Sequence, residues 1–249
     1  MGDDLNAWDG TGRFPTTHWS MLQDVRDPQN PKRLEVYNCL IRRYWKPAYV
    51  YVCRRGHTND AADLTQDFFL YWFEKEVFAK ADPDRGRFRT FLLACLKRFL
   101  VDAHRREQRE QPPEGIVSIQ QLAAEDGPNI DPSDAKTAED AYDRAWVREV
   151  LHHVCGTLKR EFTESGQEVH YELFRRRVYE PIMDGGAPPS MEELAREYDI
   201  PSRKEACNRL ITARRAFQRL VREEIRVYAS SEEEIASEVQ DLFRFAAGS

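Results

Sequence analysis

Hydrophobic residues recur at intervals of three and four along most of the chain, which is the spacing of one face of an α-helix. This pattern predicts a first helix from Leu34 that continues after Pro47, a second over about 60–78 and a third over about 88–108. Alternation with a period of two is absent over any useful length. The sequence therefore predicts an all-α fold.

One central segment, 111–139, interrupts the helical pattern with four prolines, two glycines and many acidic residues. This composition is typical of a flexible tether between domains. We therefore predict two small helical domains, over 34–110 and 140–228, joined by an acidic linker. A lead segment (1–33) precedes them and an acidic tail (229–249) follows them.

The second domain contains a candidate helix-turn-helix, in which two short helices flank the turn "YDIPS". Ser190 and Ser202 each precede a helix, and a glutamate follows each serine at the third position, which is the signature of a capping box. Seven apolar residues are predicted to form a small core: Met191, Leu194, Ala195, Ile200, Ala206, Leu210 and Phe217.

The overall charge of −6 conceals two basic blocks. Residues 84–110 carry a net charge of +4 and residues 203–226 a net charge of +5, whereas residues 111–145 carry −6. The net charge alone argues against a nucleic-acid partner, but this distribution of basic and acidic residues argues for one. The 41% hydrophobic and 32% charged composition, with 12 glycines, otherwise suits a helical protein.

The second basic block places long polar side chains on the outward face of the last predicted helix. Such a helix can read base edges near its start and hold phosphates along its length. A charged surface helix stabilised by pairs four residues apart is the alternative. The candidate DNA contacts are Arg203, Lys204, Asn208, Arg209, Arg214 and Arg215.

The first basic block, "RGRFRTFLLACLKRFLVDAHRR", sets phenylalanines between arginines. Unstacked bases can lie on aromatic rings while cations follow the backbone, so this pattern suits single-stranded DNA. The alternative, which periodicity alone leaves open, is that Phe88 and Phe91 are simply buried.

An enzyme is a poor explanation of this sequence. Asp60, Asp63 and Asp67 share one helix face that could present carboxylates to Mg²⁺, but no partner motif supplies further ligands. The five cysteines form no CxxC pair, so no zinc site or disulfide framework is predicted. No cofactor is expected, and neither an export leader nor a bilayer-length apolar run is seen.

The stretches "DAADLTQDFFLYWFEK" and "DPDRGRFRTFLLACLKRFLVDAHRRE", with the C-terminal helix-turn-helix, closely resemble a bacterial extracytoplasmic-function (ECF) sigma factor of the sigma-70 family. The "FPTTHWS" opening is similar to the long-N-terminus, planctomycete-like type. The resemblance implies that five residues dock on core RNA polymerase: Asp60, Asp63, Leu64, Gln66 and Phe69. It also implies that the helix from Arg203 to Arg215 reads the −35 element of the promoter.

The same resemblance implies that the first basic block holds the opened −10 element. The residues concerned are Asp84, Arg85, Arg87, Phe88, Arg89, Phe91, Lys97, Arg98, Arg105 and Arg106. The acidic linker either mimics polyphosphate in a positively charged polymerase channel or is an inert tether.

The expected partners are core RNA polymerase, promoter DNA and an anti-sigma or other inhibitory protein. The free protein is expected to be monomeric and cytoplasmic, without membrane insertion. An adaptor or decoy that has lost its own promoter activity is the alternative function. The amphipathic tail, with Ile235, Val239, Leu242 and Phe243, either folds back on the second domain or receives a regulator.

Overall fold

The computed structural model describes residues 30–31, 33–81, 87–103, 137–226, 229 and 231–247. Its α-helices are α1 (Arg33–Arg54), α2 (Ala61–Glu74), α3 (Phe88–Ala103), α4 (Ala138–Glu164), α5 (Glu168–Phe174), α6 (Glu180–Asp184), α7 (Met191–Glu197), α8 (Arg203–Arg226) and α9 (Glu232–Ala247). A 3₁₀ turn (Val77–Lys80) follows α2, and a π-helical turn (Arg175–Tyr179) joins α5 to α6. The described residues contain no strand, so the all-α prediction is confirmed.

Two predicted helices differ in length from the observed ones. α2 ends at Glu74 instead of continuing to Phe78, because Glu76 adopts a left-handed conformation (φ 49°) and the chain then forms the 3₁₀ turn. α8 was predicted to be short but has 24 residues. Its apolar positions continue at helical spacing through Leu220 and Ile225, both of which are buried.

The described residues form two compact units. The first unit takes its residues from 18–151 and 228–248, and the second from 152–227. The border between the units therefore falls within α4, after Leu151. Most of the predicted linker (111–139) lies outside the described residues, so the predicted domain bounds stay a prediction. The first part of α4 and the whole of α9 belong to the first unit.

An aromatic cluster forms the core of the first unit. The Phe88 ring lies 5.5 Å from Tyr44 of α1 and 5.8 Å from Trp72 of α2, measured between centroids. Phe68 packs edge-on against Phe99 of α3 at 5.6 Å. These large rings bury much apolar surface, and their tilted contacts are the geometry that aromatic pairs favour. They hold the three helices together.

The first part of α4 packs against α1 in the same unit. Ala141 and Ala145 are buried with Val50, and the Lys46 ammonium lies 3.1 Å from the Glu149 carboxylate. Lys46 is itself buried, so this carboxylate neutralises a charge that water cannot reach.

The second unit is built on the buried face of α8, which contacts α5 and α7. Phe217 of α8 packs against Phe174 at 4.7 Å between ring centroids. The turn between α4 and α5 places Gly166 at φ 67°, a left-handed conformation that suits glycine at the end of a helix. All seven apolar residues predicted for the small core are buried, which confirms that part of the prediction.

Candidate functional site

The residues predicted to dock on polymerase lie on and beside α2. Asp60, at the N-terminus of this helix, is exposed and lies 3.8 Å from the His57 ring. Asp63, Leu64 and Gln66 are partly exposed. Positions 60, 63 and 64 follow helical spacing, so they share one accessible face.

Phe69 is placed differently from the other predicted docking residues. It is only 2% exposed and packs against Phe68 and Trp72 at centroid distances of 5.1 and 6.4 Å. Its ring therefore belongs to the core of the first unit and is not accessible for contact with a partner in this conformation. Helical periodicity alone could not separate these two roles, because the α2 sequence is aromatic on several faces.

The two phenylalanines at the start of α3 are packed inside the first unit. Phe88 is 1% exposed. Phe91 is partly buried, with its ring 6.1 Å from Trp72. The structure thus favours the packing alternative for Phe88, whereas Phe91 retains an accessible edge.

Arg89 is a predicted −10 residue that is almost fully buried. Its guanidinium lies 4.4 Å above the Trp146 ring, 3.2 Å from Asp143 and 3.3 Å from Glu238. Burial lowers the pKa of Arg89, but the negative charges of Glu238 and Asp143 outweigh that effect and raise it. Arg89 is therefore held as a cation by carboxylates of α4 and α9.

Arg87 is partly exposed, and its partners among the described residues come from α9. It forms an ion pair with Asp241, donates a hydrogen bond to the Ser237 hydroxyl, and lies 3.7 Å from Glu238. Glu238 is 1% exposed. Burial raises the pKa of the Glu238 carboxyl, although the positive charges of Arg89 and Arg87 act in the opposite direction.

The remaining −10 candidates divide into exposed and undescribed positions. Lys97 and Arg98 are exposed on α3, and Lys97 forms an ion pair with Glu139 at 2.7 Å. The other four, Asp84, Arg85, Arg105 and Arg106, lie outside the described residues.

The basic face of α8 is directed to solvent as predicted from the pattern. Arg203, Lys204, Asn208, Arg214 and Arg215 are exposed. Arg209 is partly buried and pairs with Glu205 one turn earlier. The −35 candidates thus lie opposite the buried face of this helix, and Glu205 neutralises one of them.

The start of α7 has the predicted capping box. The Ser190 hydroxyl accepts a hydrogen bond from the Glu193 backbone N–H at 3.2 Å, and the Glu193 carboxylate accepts one from the Ser190 N–H at 2.8 Å. The Ser202 hydroxyl similarly accepts from the Glu205 N–H. These contacts fix the starts of both helices that flank the turn.

Sequence reasoning missed four residues that contact Arg87 or Arg89 through a charge or a ring. Asp143 and Trp146 come from α4, and Glu238 and Asp241 from α9. The sequence did contain one signal of a docked helix: the acids Glu238 and Asp241 lie beside the apolar residues Ile235 and Leu242 in an amphipathic tail. Their target could not be found, because nothing in the pattern specifies a pairing about 150 residues away.

No metal site is found in the part of the chain that the structure describes, where no group of three or more His, Cys, Asp or Glu side chains could hold an ion. The aspartates of α2 therefore form no described metal site. Of the described helices, none is both long and apolar enough to cross a membrane.

Comparison with known proteins finds one family. Residues 37–110 match the family described as Sigma-70 region 2, a range that takes in most of α1 and all of α2 and α3. Over these residues the chain is similar to that family. No curated protein and no solved structure matches the chain.

Proposed function

We propose that this protein is a sigma factor of the ECF type, which binds core RNA polymerase and directs promoter-specific initiation of transcription. The match of residues 37–110 to Sigma-70 region 2 carries this proposal, because that region implies polymerase binding and −10 recognition. Sigma-70 proteins are initiation factors without catalytic activity of their own. A cytoplasmic site of action and an inhibitory partner protein belong to the same proposal.

The polymerase contact is proposed to involve the accessible face of α2. Asp60, Asp63 and Leu64 remain at least partly exposed there, while the aromatic residues of the helix fill the core. Polar residues that remain accessible on a helix so rich in aromatic side chains are suited to a partner interface. Phe69 is proposed to act indirectly, because its buried ring packs beneath the residues of this face and holds α2 in position.

The −10 contact is proposed to use the accessible cations of α3, namely Lys97 and Arg98, with Arg87 at the start of the helix. Phe88 would anchor this helix to Tyr44 and Trp72 instead of stacking on a base. Phe91 retains the exposure that a stacking role requires.

The −35 contact is proposed for the outward face of α8. Lys204, Asn208 and Arg215 lie four and seven residues apart and are all exposed, so they form one stripe. Side chains of these types can hydrogen-bond base edges and neutralise phosphates in the major groove.

Polymerase docking is tested by reversing one charge on α2. Asp63→Arg should prevent co-purification of the protein with core polymerase, because it puts the wrong charge into the proposed interface. Interface truncations at such positions cost about 1 to 3 kcal/mol, and repulsion adds to that cost. Glu74→Arg, at the exposed end of the same helix, is the matched control and should bind normally.

Circular dichroism of both variants should match that of the unaltered protein. Retention of polymerase by Asp63→Arg, at the level of Glu74→Arg, would refute the proposed docking face.

A further inference from the structure

The C-terminal helix α9 is docked within the first unit by one apolar stripe. Ile235 and Leu242 are seven residues apart, and they are 5% and 0% exposed respectively. Phe243, the next residue, is 39% exposed, and the acids at 232 and 233 face solvent. α9 is therefore an amphipathic helix whose apolar face is covered.

The acids beside this stripe are directed to the two arginines at the start of α3. Glu238 lies 3.3 Å from Arg89 and 3.7 Å from Arg87, and Asp241 pairs with Arg87. Among the described residues, the carboxylates that pair with Arg87 belong to α9, whereas Arg89 is also paired with Asp143 of α4. Ser237 adds a hydrogen bond to Arg87.

This arrangement copies the contacts that arginines make with a nucleic-acid backbone. A guanidinium binds carboxylate and phosphate oxygens with the same donor geometry. Glu238 and Asp241 lie one helical turn apart, so α9 presents two anionic groups to two neighbouring cations. A strand of DNA cannot place its phosphates on Arg87 while these carboxylates are there.

We propose that Arg87 and Arg89 form an anion-binding site for the phosphates of single-stranded DNA, and that α9 occupies this site within the same chain. The helix then acts as a built-in competitor of DNA, and it must leave before the strand binds. The inference rests on the proposed function, because that function supplies DNA as the ligand of α3.

Apolar burial, and not the ion pairs alone, holds α9 in place. Charges in a buried pair lose their hydration, so such pairs contribute specificity more reliably than affinity. Ile235 and Leu242 supply the driving force, and the carboxylates fix which surface the helix covers. Release of the helix therefore requires a change on its apolar face, a partner that takes that face, or loss of the carboxylate charges that pair with Arg87 and Arg89.

The competition has a measurable consequence. The apparent dissociation constant for a ligand rises in inverse proportion to the fraction of protein that is competent to bind. A helix that is undocked for about a tenth of the time would weaken DNA binding about tenfold. Displacement of α9 should restore that affinity.

The test compares the same substitution at two adjacent positions of the full-length protein. Leu242→Asp puts a charge at a fully buried position and should release α9, whereas Phe243→Asp puts it at an exposed one. Binding of a fluorescein-labelled single-stranded DNA 12-mer of mixed sequence is measured by anisotropy at fixed ionic strength. Both variants gain the same negative charge, which by itself opposes DNA binding.

We expect Leu242→Asp to bind the oligonucleotide at least about tenfold more tightly than the unaltered protein. Phe243→Asp should show no gain. Adding Arg87→Ala to Leu242→Asp should remove the gain, which separates the proposed site from non-specific exposure of basic surface. Hydrogen exchange should show loss of protection in α9 and retained protection in α2.

Three results would overturn the proposal. They are a released α9 without a gain in DNA binding, a helix that stays protected in Leu242→Asp, and an equal gain in Phe243→Asp. If Leu242→Asp does not fold, Glu238→Gln with Asp241→Asn replaces it, and Glu232→Gln with Glu233→Gln is its control of equal charge. Failure of the proposed function would differ, since no variant would then bind core polymerase.

Discussion

Arg89 is a sequence-predicted DNA contact that lies almost fully inside the folded first unit. Removing one member of a buried ion pair costs about 3–5 kcal/mol, because the other charge is left without a partner. A substitution at Arg89 would therefore perturb folding before it reported on DNA. Arg87, with 27% of its side chain exposed, is the better probe of the same site. For the same reason, Phe91 and not the buried Phe88 is the aromatic residue to test.

The capping box at Ser190 gives a prediction at the level of single residues. Ser190→Ala should lower the free energy of unfolding of the second unit by about 0.5–2 kcal/mol, because the Glu193 backbone N–H loses its side-chain acceptor. The measurement is urea unfolding followed by circular dichroism. An undiminished stability would contradict the structural importance of this cap.

The same box predicts a pH dependence with a defined sign. Hydrogen bonds from the Ser190 backbone and hydroxyl hold the pKa of Glu193 below its usual range. A carboxyl with a lowered pKa in the folded state stabilises the fold above its unfolded pKa, and this contribution is lost as pH falls through the folded value. Glu193→Gln, which keeps an acceptor without the charge, should lose this part of the acid sensitivity. An identical acid response in both proteins would contradict the account.

At the scale of elements, α8 is a helix whose buried and exposed faces could be predicted from the sequence. The sequence predicted both faces of this helix, because helical periodicity fixes which face is apolar. Ala206, Leu210 and Phe217 are buried, and Lys204 and Asn208 are exposed. The cap at Ser190 was predictable for a similar reason, since its signature is local. α9 differs, because its apolar stripe was visible but its location was not. Long-range ion pairs such as Arg87 with Asp241 carry no periodic signal.

The outward face of α8 is tested by its salt dependence. Arg214→Ala and Arg215→Ala should each weaken duplex DNA binding and reduce the slope of log K against log salt by about one, because each neutralised phosphate releases counterions. Arg222→Ala is the control, because Arg222 is exposed on the same helix but lies outside the predicted contacts. Equal slopes for all three variants would argue against a DNA-reading face at the predicted positions.

At the scale of the whole molecule, the family match covers helices of the first unit only. The role of the second unit thus depends on the exposed basic face of α8, and the acidic linker at 111–139 remains a prediction. The assembled protein is proposed to join a polymerase-binding and strand-opening unit to a duplex-reading unit. Only an assay with polymerase and promoters together examines both.

Transcription reconstituted from core polymerase, this protein and a genomic promoter library tests the central claim most directly. A sigma factor should yield run-off transcripts from a discrete set of start sites that share −10 and −35 sequences, and Asp63→Arg should abolish them while Glu74→Arg does not. Binding to polymerase without any promoter-specific transcript would contradict the account and favour an adaptor or decoy.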